Sequence, residues 1–593
     1  MAEIKKGCSF LFEQVGSGDI FTIEDIPEDQ KMLGKTAEDF MRKSVLPVEE
    51  EMEHKKGEVA VPLLRKAGEI GLLMADIPEK YGGLGLTKAA SALITGKMTL
   101  NGSFSVTFGA HTGIGTLPIL FYGTEAQKQK YLPKLATAEL IGAYALTEPG
   151  AGSDALNIKT VAKLSPDGKH YILNGTKQFI TNAAFADVII TYAKIDGEKF
   201  TAFIVEKGFP GVSIGPEEKK MGLKGSSTCA VILEDAKVPV ENLLGEIGKG
   251  HYIAFNILNM GRLKLGIACF GGAKEIINQV VIYGLDRKQF NTPIIEFGAL
   301  KQKLADMVVL TYVGESMVFR TAGMIDEAIH TLNIDDPNYI KNVPKMIEEY
   351  AVEASIMKIF GSESLHFIID ESVQFLGGYG FIEEYKVERV YRDSRVNRIF
   401  EGTNEINRLL IQAMIGKRTI KGQIPLMETV QQIQSDLEKG TKPNIKDGIF
   451  KKEMEATELA KKIVLYVSNE AVTKYMGPEL EKQEQMLMKL SNMMIDLYGM
   501  DSVLGKVLKV IKTKGEANAK TQIDIAKVFV AEACDRIMTD ARRLLANVYQ
   551  GDELKAQLDK ISKWTLFLGT DTIRAKERIA DRVKEDRGWK LSG

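Results

Sequence analysis

The chain has 593 residues, with 77 Lys or Arg against 79 Asp or Glu, a formal net charge of -2 and 45% hydrophobic residues. This balance excludes a chain-wide electrostatic field that would gather nucleic acid, so any basic patch must be local. The length exceeds what one hydrophobic core supports, and we expect about two to four domains.

The N-terminal residues show no targeting signal. The run MAEIKKGCSF lacks the long apolar core and small-residue cleavage site of a signal peptide, and it is not Arg-rich like an organelle transit peptide. We therefore expect a cytoplasmic protein and assign residues 1–27 to an N-terminal tail. No apolar run approaches the roughly 20 residues of a bilayer span, so any membrane contact is expected to be peripheral.

Cysteines and histidines are too scattered to predict a disulfide framework or a metal centre. The six histidines have no ligand spacing, and the four cysteines form no CxxC pair. Reduced thiols and no metal are therefore expected. The cysteines are Cys8, Cys229, Cys269 and Cys534.

Helical periodicity predicts a helical domain over residues 28–143. Apolar residues recur at spacings of three and four in LLRKAGEIGLLM (63–74) and AASALITGKMTL (89–100). Pro27 and Glu28, which follow Asp25, mark the entry to the first helix.

Residues 144–250 change character and predict a small β-domain. They contain short runs typical of strands, separated by Gly, Pro and Asp turns. These runs are HYILNG, DVIITYAKI, KFTAFIVE and CAVILEDAKV.

Long helices are predicted again from residue 251 to about 417. In ALKQKLADMVVLTYVGESM (299–317), Leu300, Leu304, Met307 and Val308 share one face, as in a bundle of antiparallel helices. We expect this bundle to carry the catalytic base considered below.

A linker and a further helical domain complete the expected architecture. Gly422, Pro425, Gly440 and Pro443 among polar residues predict a linker around one short helix at 418–446. Residues 447–593 have bundle-like spacing in IDIAKVFVAEACDRIMTDARRLL. The Met-rich run MLMKLSNMMIDLYGM (486–500) fits a lipid or partner surface, but ordinary core packing is favoured. The predicted fold class is mainly α with a central β-domain and an extra C-terminal helical domain.

Glu401 is the candidate general base. It lies in IFEGTNEINR, preceded by the apolar Ile399 and Phe400 and followed by Gly402. An apolar setting raises the proton affinity of a carboxylate, and the small glycine lets a substrate approach the backbone. A solvated helix end is the alternative explanation of the same residues.

Two further runs supply donors and an aromatic ring. YALTEPGAGSDA (144–155) places hydroxyls and glycines where they can contact the edge of a flat heterocycle and its phosphates, although a simple turn fits as well. In KQFITNAAFADV, Phe179 and Thr181 occupy alternate strand positions and can point the same way, although core packing would also explain them.

Taken together, these segments resemble the acyl-CoA dehydrogenase family. The resemblance covers nearly all of residues 25–417, and no Rossmann fingerprint follows a strand. The segments after residue 417 resemble the extension of the very-long-chain subgroup, whose members add a helical domain to the common core. The matching segments are YALTEPGAGSDA, KQFITNAAFAD, KMGLKGSSTCAVILEDAKVP, DRKQF and QFLGGYGFIEEYKVERVYRDSRVNRIFEGTNEINRLL.

The resemblance implies the family's fold and chemistry. Helical, β and helical domains would hold FAD noncovalently against an acyl-CoA thioester. Glu401 matches the base that removes a proton from the carbon next to the thioester carbonyl, while the neighbouring carbon passes hydride to the flavin and leaves trans-2-enoyl-CoA. The amide of Glu401 matches part of the oxyanion site that so weak a carbon acid requires.

Residue-by-residue matching assigns cofactor contacts in the first three segments. Tyr144, Leu146 and Thr147 match residues that border the flavin. Phe179 and Thr181 match residues over and beside the ring, where many relatives carry Trp instead of Phe179.

Positions on the phosphate and adenosine side match as well. Gly152 and Ser153 match positions near the FAD phosphates and the CoA arm. Thr403 and Glu405 match adenosine-side contacts, with an acid at 405 where the family often has a neutral amide.

A second set implies an oligomer, because it matches residues that contact the FAD of a neighbouring subunit. An arginine suits a diphosphate as a rigid fork of donors. If these matches hold, each cofactor spans two chains and at least a dimer is required. The set is Arg287, Gln289, Phe290, Gln374, Gly377 and Gly378.

Arg262 and Gly402 match substrate-side positions, although a surface salt bridge would also explain a lone arginine. Gly109 and Gly113 lie four apart in FGAHTGIG and would open one helix face, either for the far end of a long acyl chain or for close helix packing. Glycine costs helix stability, and with the C-terminal extension this favours long-chain substrates.

We expect a dehydrogenase of fatty acid β-oxidation that passes electrons to an electron-transfer flavoprotein. The compact dehydrogenase spacing and the extension favour it over an acyl-CoA oxidase. An assembly scaffold with residual dehydrogenase activity is the third possibility, and the intact Glu401 and flavin motifs argue against pure scaffolding.

Overall fold

The computed structural model describes residues 4–16, 19–439, 441–564, 566 and 568–592. Helices dominate these residues, and one mixed β-sheet lies between two helical parts of the chain. The predicted class, mainly α with a central β-domain and a further helical domain, is confirmed.

The first helical part begins at Glu28, the residue expected to open it. Thr87, Asn101 and Thr124 accept amide hydrogen bonds at the start of three of its helices, as N-caps do. Between the fifth and sixth helices, Ala110–Gly115 form a π-helical turn. The helices are α1 (Glu28–Phe40), α2 (Glu49–Lys55), α3 (Gly57–Glu69), α4 (Lys88–Lys97), α5 (Gly102–Gly109), α6 (Leu117–Tyr122) and α7 (Glu125–Ala136).

The sheet begins at Gly142, slightly before the predicted boundary, and contains each of the four predicted strand runs. Its strand order is β6-β7-β3-β2-β4-β5-β8, with β1 pairing with β4. Strands β1 and β2 run parallel to β4, and the other pairs are antiparallel. The strands are β1 (Gly142–Ala145), β2 (Val161–Leu164), β3 (His170–Thr181), β4 (Val188–Ile195), β5 (Lys199–Glu206), β6 (Val212–Glu217), β7 (Thr228–Pro239) and β8 (Leu243–Leu244).

The second helical part is a bundle of long helices. Leu304, Met307 and Val308 are fully buried and Leu300 is partly buried, which confirms the predicted apolar face. The bundle comprises α8 (Gly250–Asp286), a hairpin of β9 (Lys288–Gln289) and β10 (Thr292–Pro293), α9 (Gly298–His330), α10 (Tyr339–Glu349), α11 (Ala351–Leu376), α12 (Val387–Ser394) and α13 (Asn404–Ile420).

The C-terminal helices pack onto this bundle chiefly through α9. Met486, Met493, Met494 and Met500 are buried, so the Met-rich run is ordinary core packing, the reading that the sequence favoured. The helices are α14 (Leu426–Lys439), α15 (Lys451–Lys474), α16 (Pro478–Glu481), α17 (Glu484–Lys514), α18 (Lys520–Val548), α19 (Gly551–Ser562) and α20 (Thr572–Glu585).

The segment predicted as an N-terminal tail is packed in its described residues, 4–16 and 19–27; we call residues 4–16 the strap. The amide of Cys8 donates to Glu353 Oε1 at 2.6 Å. Lys461 Nζ donates to the carbonyl of Glu13 at 2.7 Å, and the ring of Phe10 lies 4.9 Å from that of Tyr498. The strap therefore joins the bundle to the C-terminal helices.

Two helical stretches, Gly102–Tyr122 and α8, are long and apolar enough to cross a bilayer by length and composition alone. The expectation that no stretch approaches a span was therefore wrong by that measure. The physical reason is burial, since 78% and 50% of the residues in their most apolar windows are buried inside the protein. Helices packed on several sides need little polar surface.

The bundle and the C-terminal helices are joined by a buried ion pair. Arg320 Nη2 on α9 lies 2.8 Å from Asp501 Oδ2 on α17, and both side chains are buried. The change Asp501→Asn would leave the guanidinium without its counter-charge, at a cost of about 3–5 kcal/mol. We expect the thermal midpoint to fall by about 2–4 °C in differential scanning calorimetry, because a chain of this size unfolds with a large entropy change.

The matched control is an exposed pair. Lys512 and Asp19 are 3.1 Å apart with most of both side chains in solvent. Lys512→Met should leave the midpoint unchanged, because exposed pairs are screened by water and salt. Equal melting of Asp501→Asn and the control would contradict a stabilising role for the buried pair.

Candidate active site

A cavity of about 190 Å³ lies where the first helical part, the sheet and the bundle meet. Its walls include the segment that runs from α4 to the π-helical turn, parts of α8 and α12, and two residues of the sheet domain, Thr181 and Leu223. Most of the lining side chains are apolar or small. Phe400 and Glu401 lie at this cavity, so the candidate base faces an apolar space.

Gly109 and Gly113 both line the cavity. A Cβ added at either position would have no other atom within 4 Å, whereas close helix packing would place atoms there. The glycines therefore open space inside the cavity. Gly109 ends α5 and Gly113 lies in the π-helical turn, so the regular helix assumed from their spacing is interrupted.

Glu401 and Gly402 form a turn with two consecutive residues in the left-handed region, at φ 58° and 80°. A non-glycine residue is uncommon there, and such backbone costs on the order of 1–3 kcal/mol unless the surroundings hold it. At Gly402 a Cβ would also lie 3.1 Å from Asn407 Nδ2. The sequence Glu-Gly is therefore required by the turn as well as by the access that Gly402 gives.

Three buried side chains donate to the carbonyl oxygens of this turn; we call Arg262, Lys358 and Asn407 the carbonyl clamp. Arg262 Nε donates to Glu401 O at 3.2 Å. Lys358 Nζ donates to Gly402 O at 2.7 Å. Asn407 Nδ2 lies 3.3, 2.8 and 3.0 Å from the carbonyl oxygens of Glu401, Gly402 and Thr403. The clamp holds the strained backbone in place.

The carboxylate of Glu401 has the properties of a base. Burial raises the pKa of Glu401 to about 7, even though the positive charges of Arg262 and Lys358 lower it. Its Oε2 is buried and has no hydrogen-bond partner among the residues described. A Cβ at Gly261 would lie 2.7 Å from this oxygen, so that glycine of α8 makes room for the carboxylate.

Tyr144, Leu146 and Thr147 lie at and beyond the end of β1 and next to β3. The carbonyl of Thr147 accepts a hydrogen bond from the amide of Gln178 at 2.9 Å, which joins the two predicted flavin segments. Burial raises the pKa of Tyr144, whose ring lies 5.3 Å from that of the buried Tyr192 and which also feels the charges of Glu401 and Arg262. This places Tyr144 near the candidate base.

The following loop is open at its tip and anchored at its base. Gly152 and Ser153 are exposed, and a Cβ at Gly152 would meet nothing within 4 Å. The anchor is a buried ion pair between Glu148 and Lys177, 2.7 Å apart, with Thr160 also donating to Glu148. A loop so held leaves room for a ligand against its glycines.

Phe179 and Thr181 lie on either side of the buried Ile180 near the end of β3. The strand is not regular there, since the pairing of β3 with β7 shifts between Lys177 and Ile180 and Phe179 has φ 60°. Phe179 is 61% exposed, and Thr181 lines the cavity. The bulge, which alternation alone does not predict, presents the phenyl ring outward.

The set matched to a neighbouring subunit forms a separate group. Arg287 lies 5.5 Å from the centre of the Tyr379 ring, which brings the end of α8 to the end of α11. Phe290, at the tip of the β9–β10 hairpin beside Gln289, is 90% exposed. Gln374, Gly377 and Gly378 are also exposed. Arg287 lines a different cavity, of about 600 Å³, and none of the six lines the one beside Glu401.

Thr403 and Glu405 begin α13. The side chain of Thr403 accepts a hydrogen bond from the amide of Ile406 at 3.3 Å and caps the helix. Glu405 is exposed in the first turn. Both therefore lie directly after the strained turn, and the Thr403 carbonyl itself accepts from Asn407 of the clamp.

The sequence did not indicate Gly261, Lys358 or Asn407. Gly261 and Lys358 contact the turn from distant parts of the chain, and Asn407 contacts it through an ordinary helical spacing. No local sequence pattern therefore marks these residues. The Glu148–Lys177 pair was missed as well. Arg262, given equal weight as a substrate contact and a surface salt bridge, is buried and donates to Asn259 Oδ1 at 2.9 Å as well as to the turn.

Comparison with known protein families gives matches along most of the chain. Models of the acyl-CoA dehydrogenase N-terminal domain, middle domain and C-terminal domain match residues 27–139, 143–236 and 248–416. A further model, also described as an acyl-CoA dehydrogenase C-terminal domain, matches residues 459–563.

Individual relatives match over nearly the same extent. A probable acyl-CoA dehydrogenase of Bacillus subtilis is 47% identical over 98% of both chains. The human mitochondrial very long-chain specific acyl-CoA dehydrogenase is 35% identical over 84% of this chain and 77% of its own. The crystal structure of a Bacillus anthracis acyl-CoA dehydrogenase complexed with FAD is 48% identical, with a TM-score of 0.96 over 99% of this chain and 100% of the other.

The raised pKa of Glu401 has a consequence for stability. Above pH 7 the folded protein carries a buried carboxylate, which lowers the free energy of unfolding. This cost disappears as pH falls through the folded pKa of about 7 toward the unfolded value of 4.5. The change Glu401→Gln removes this cost. We expect the variant to melt at a higher temperature than the unaltered protein above pH 7, with the difference vanishing near pH 4.5 in calorimetric scans. A constant difference across this range would contradict the burial of the charge.

Proposed function

The chain belongs to the acyl-CoA dehydrogenase family and is an FAD-dependent oxidoreductase, and from this membership we propose that it dehydrogenates long-chain fatty acyl-CoA thioesters to trans-2-enoyl-CoA for an electron-transfer flavoprotein. The resemblance found in the sequence, including the extra C-terminal domain, is confirmed. The observation that carries the proposal is the buried, unpartnered Oε2 of Glu401, a residue that lines a largely apolar cavity.

Glu401 removes a proton from the carbon next to the thioester carbonyl. Its desolvated carboxylate, with a pKa of about 7, is a stronger base than an exposed one; it is about half ionised at neutral pH and largely ionised above it. The amide of Glu401 donates to no acceptor among the described residues, so it is available to the thioester oxygen on which charge develops. The left-handed turn presents both groups from one residue.

The residues around this turn fit a flavin. Tyr144 lies near Glu401, whose charge acts on it, and the loop glycines leave open space. The bulge at Phe179 presents an aromatic ring beside the segment of Thr147. These residues would hold the ring system, and Gly152 and Ser153 the phosphate side. Bound FAD supplies the acceptor for the hydride that leaves the neighbouring carbon.

Two observations support long acyl chains as the proposed substrates. Gly109 and Gly113 contribute no side chain to its wall, and a Cβ at either would meet no neighbour within 4 Å. The match to the human very long-chain specific enzyme, which includes much of the C-terminal extension, supports the same substrate class.

We assign electron-transfer flavoprotein as the acceptor and place the protein in β-oxidation. The two curated relatives described above are named dehydrogenases, which supports a protein acceptor over the oxygen of an oxidase. The separate position of the group around Arg287 supports a dimer in which this group completes the partner's cofactor site.

The first test is anaerobic titration of the purified yellow protein with acyl-CoAs while flavin absorbance is followed. We expect palmitoyl-CoA to reduce the flavin faster than butyryl-CoA. Glu401→Gln should keep its FAD but lose at least about a hundredfold of the reduction rate, because the general base is gone. A near-normal rate would refute the assignment of Glu401, and faster reduction by butyryl-CoA would refute the long-chain proposal.

The same preparation tests the acceptor. Reduced protein mixed with electron-transfer flavoprotein should reoxidise at the turnover rate, whereas mixing with oxygen alone should be slow. Hydrogen peroxide formed at the turnover rate would favour the oxidase alternative instead.

The glycines give a second test of chain length. In Gly113→Leu the added side chain extends from a position that lines the cavity and where a Cβ meets no neighbour within 4 Å. We expect kcat/KM for palmitoyl-CoA to fall by at least about tenfold, while that for butyryl-CoA changes by less than about threefold, since methylenes in an apolar pocket discriminate at this scale.

The control for this variant is Gly416→Leu on α13, where a Cβ also meets nothing within 4 Å but lies on the exposed surface. It should leave both substrates unaffected. Parallel losses for both chain lengths in Gly113→Leu would mean that the glycine supports the backbone rather than the chain.

A further inference from the structure

Lys358 is a fully buried lysine on α11 whose ammonium donates to the strained turn. Its Nζ lies 2.7 Å from Gly402 O and 2.7 Å from Asn404 Oδ1. Asn404 is fixed in turn, since its Nδ2 donates to Ser362 Oγ and Glu363 Oε1. The ammonium therefore joins α11 to the residues on both sides of Thr403.

Lys358 differs from the other buried lysines. Lys177, Lys264 and Lys506 each lie within 2.9 Å of a carboxylate oxygen. Within the described parts of the chain, no carboxylate lies within 4 Å of Lys358 Nζ. Burying an ammonium without an adjacent counter-ion is costly, so its retention here suggests a function beyond stability.

Electrostatics link this ammonium to the base. Burial lowers the pKa of Lys358 to about 8, while the charge of Glu401 raises it. The group is therefore still largely protonated at neutral pH. The ionisable groups that act on Glu401 come from three elements, Arg262 of α8, Lys358 of α11 and Tyr144 of β1.

We propose that Lys358 is a positioning residue for the dehydrogenation, because its ammonium fixes the Gly402 carbonyl and thereby holds Glu401 in the left-handed conformation that directs the carboxylate into the cavity. The inference rests on the proposed function of Glu401. Lys358 contacts neither the cavity nor the carboxylate, so it acts through the backbone and through its charge.

Two variants separate these effects. Lys358→Met keeps the approximate size but removes the donor and the charge, and Lys358→Gln keeps a donor without the charge. Each is compared with the unaltered holoenzyme in anaerobic stopped-flow reduction by palmitoyl-CoA from pH 6 to pH 9. The dissociation constant for palmitoyl-CoA is taken from the same traces.

For Lys358→Met we expect the limiting rate to fall by about tenfold to a hundredfold at high pH, because a displaced base reacts slowly. The dissociation constant should change by less than about threefold. The acid limb of the rate profile is the range in which the rate falls at low pH as the base is protonated. It should move to a pH about one unit higher, since loss of a nearby positive charge raises the pKa of a carboxylate. Lys358→Gln should show the same movement of the limb with a smaller loss of rate.

Hydrogen exchange gives a readout that does not depend on turnover. Amides in a peptide covering residues 399–408 should exchange faster in Lys358→Met than in the unaltered protein. The control is Lys461→Met, which removes another buried lysine that donates to a backbone carbonyl, that of Glu13, far along the chain. This control should leave the exchange of 399–408 and the acid limb unchanged, even if it lowers the melting temperature.

The outcomes are distinct. If the unaltered holoenzyme is not reduced by any acyl-CoA, the proposed function fails. If it is reduced, and the folded variants keep its limiting rate within about twofold and show no movement of the acid limb, only the inference about Lys358 fails. Should Lys358→Met not fold, Lys358→Gln decides the matter by the same two measurements.

Discussion

The active site depends on one constraint, which is that Glu401 must be buried without being neutralised by a bonded partner. A carboxylate that pairs closely with a cation becomes a weak base, and one in water becomes an ordinary acid. The fold meets the constraint by directing its cationic side chains to the backbone carbonyls of the turn rather than to the carboxylate. Their charges then moderate the pKa of Glu401 at a distance, and Oε2 remains free to accept a proton.

The same site depends on missing side chains as much as on present ones. Gly261 makes room for the carboxylate, Gly402 permits the turn, and Gly109 and Gly113 leave space along the cavity. Three of these glycines lie in helices or a helical turn, where glycine is unfavourable. The packing of long helices around them compensates, because α8 and α11 bury most of their residues. Stability in the bundle is thus what allows open space in the cavity.

The sequence predicts much of this fold, because long helices and strands have local sequence patterns. Examples are the periodicity of Leu304, Met307 and Val308 and the four strand runs. The sequence also identifies Glu401 as the candidate base. What it cannot supply is long-range geometry. The bulge at Phe179 depends on how β3 pairs with β7, and the strap is ordered by side chains such as Glu353, hundreds of positions away. The contacts of Lys358 with the turn depend on the packing of α11 beside it, so no local sequence pattern marks this residue.

A second acidic side chain at the cavity shows why burial alone does not define a base. Asp393 lines the same cavity, and burial raises its pKa to about 6. Its Oδ1, however, accepts a hydrogen bond from the amide of Leu223, which fixes its direction and ties α12 to the sheet domain. Asp76, also buried, is held between Lys88 and Lys264, and its pKa is lowered. The carboxylate of Glu401 combines a raised pKa with an unpartnered oxygen and a backbone held by other groups, and this combination suits it to take a proton from carbon.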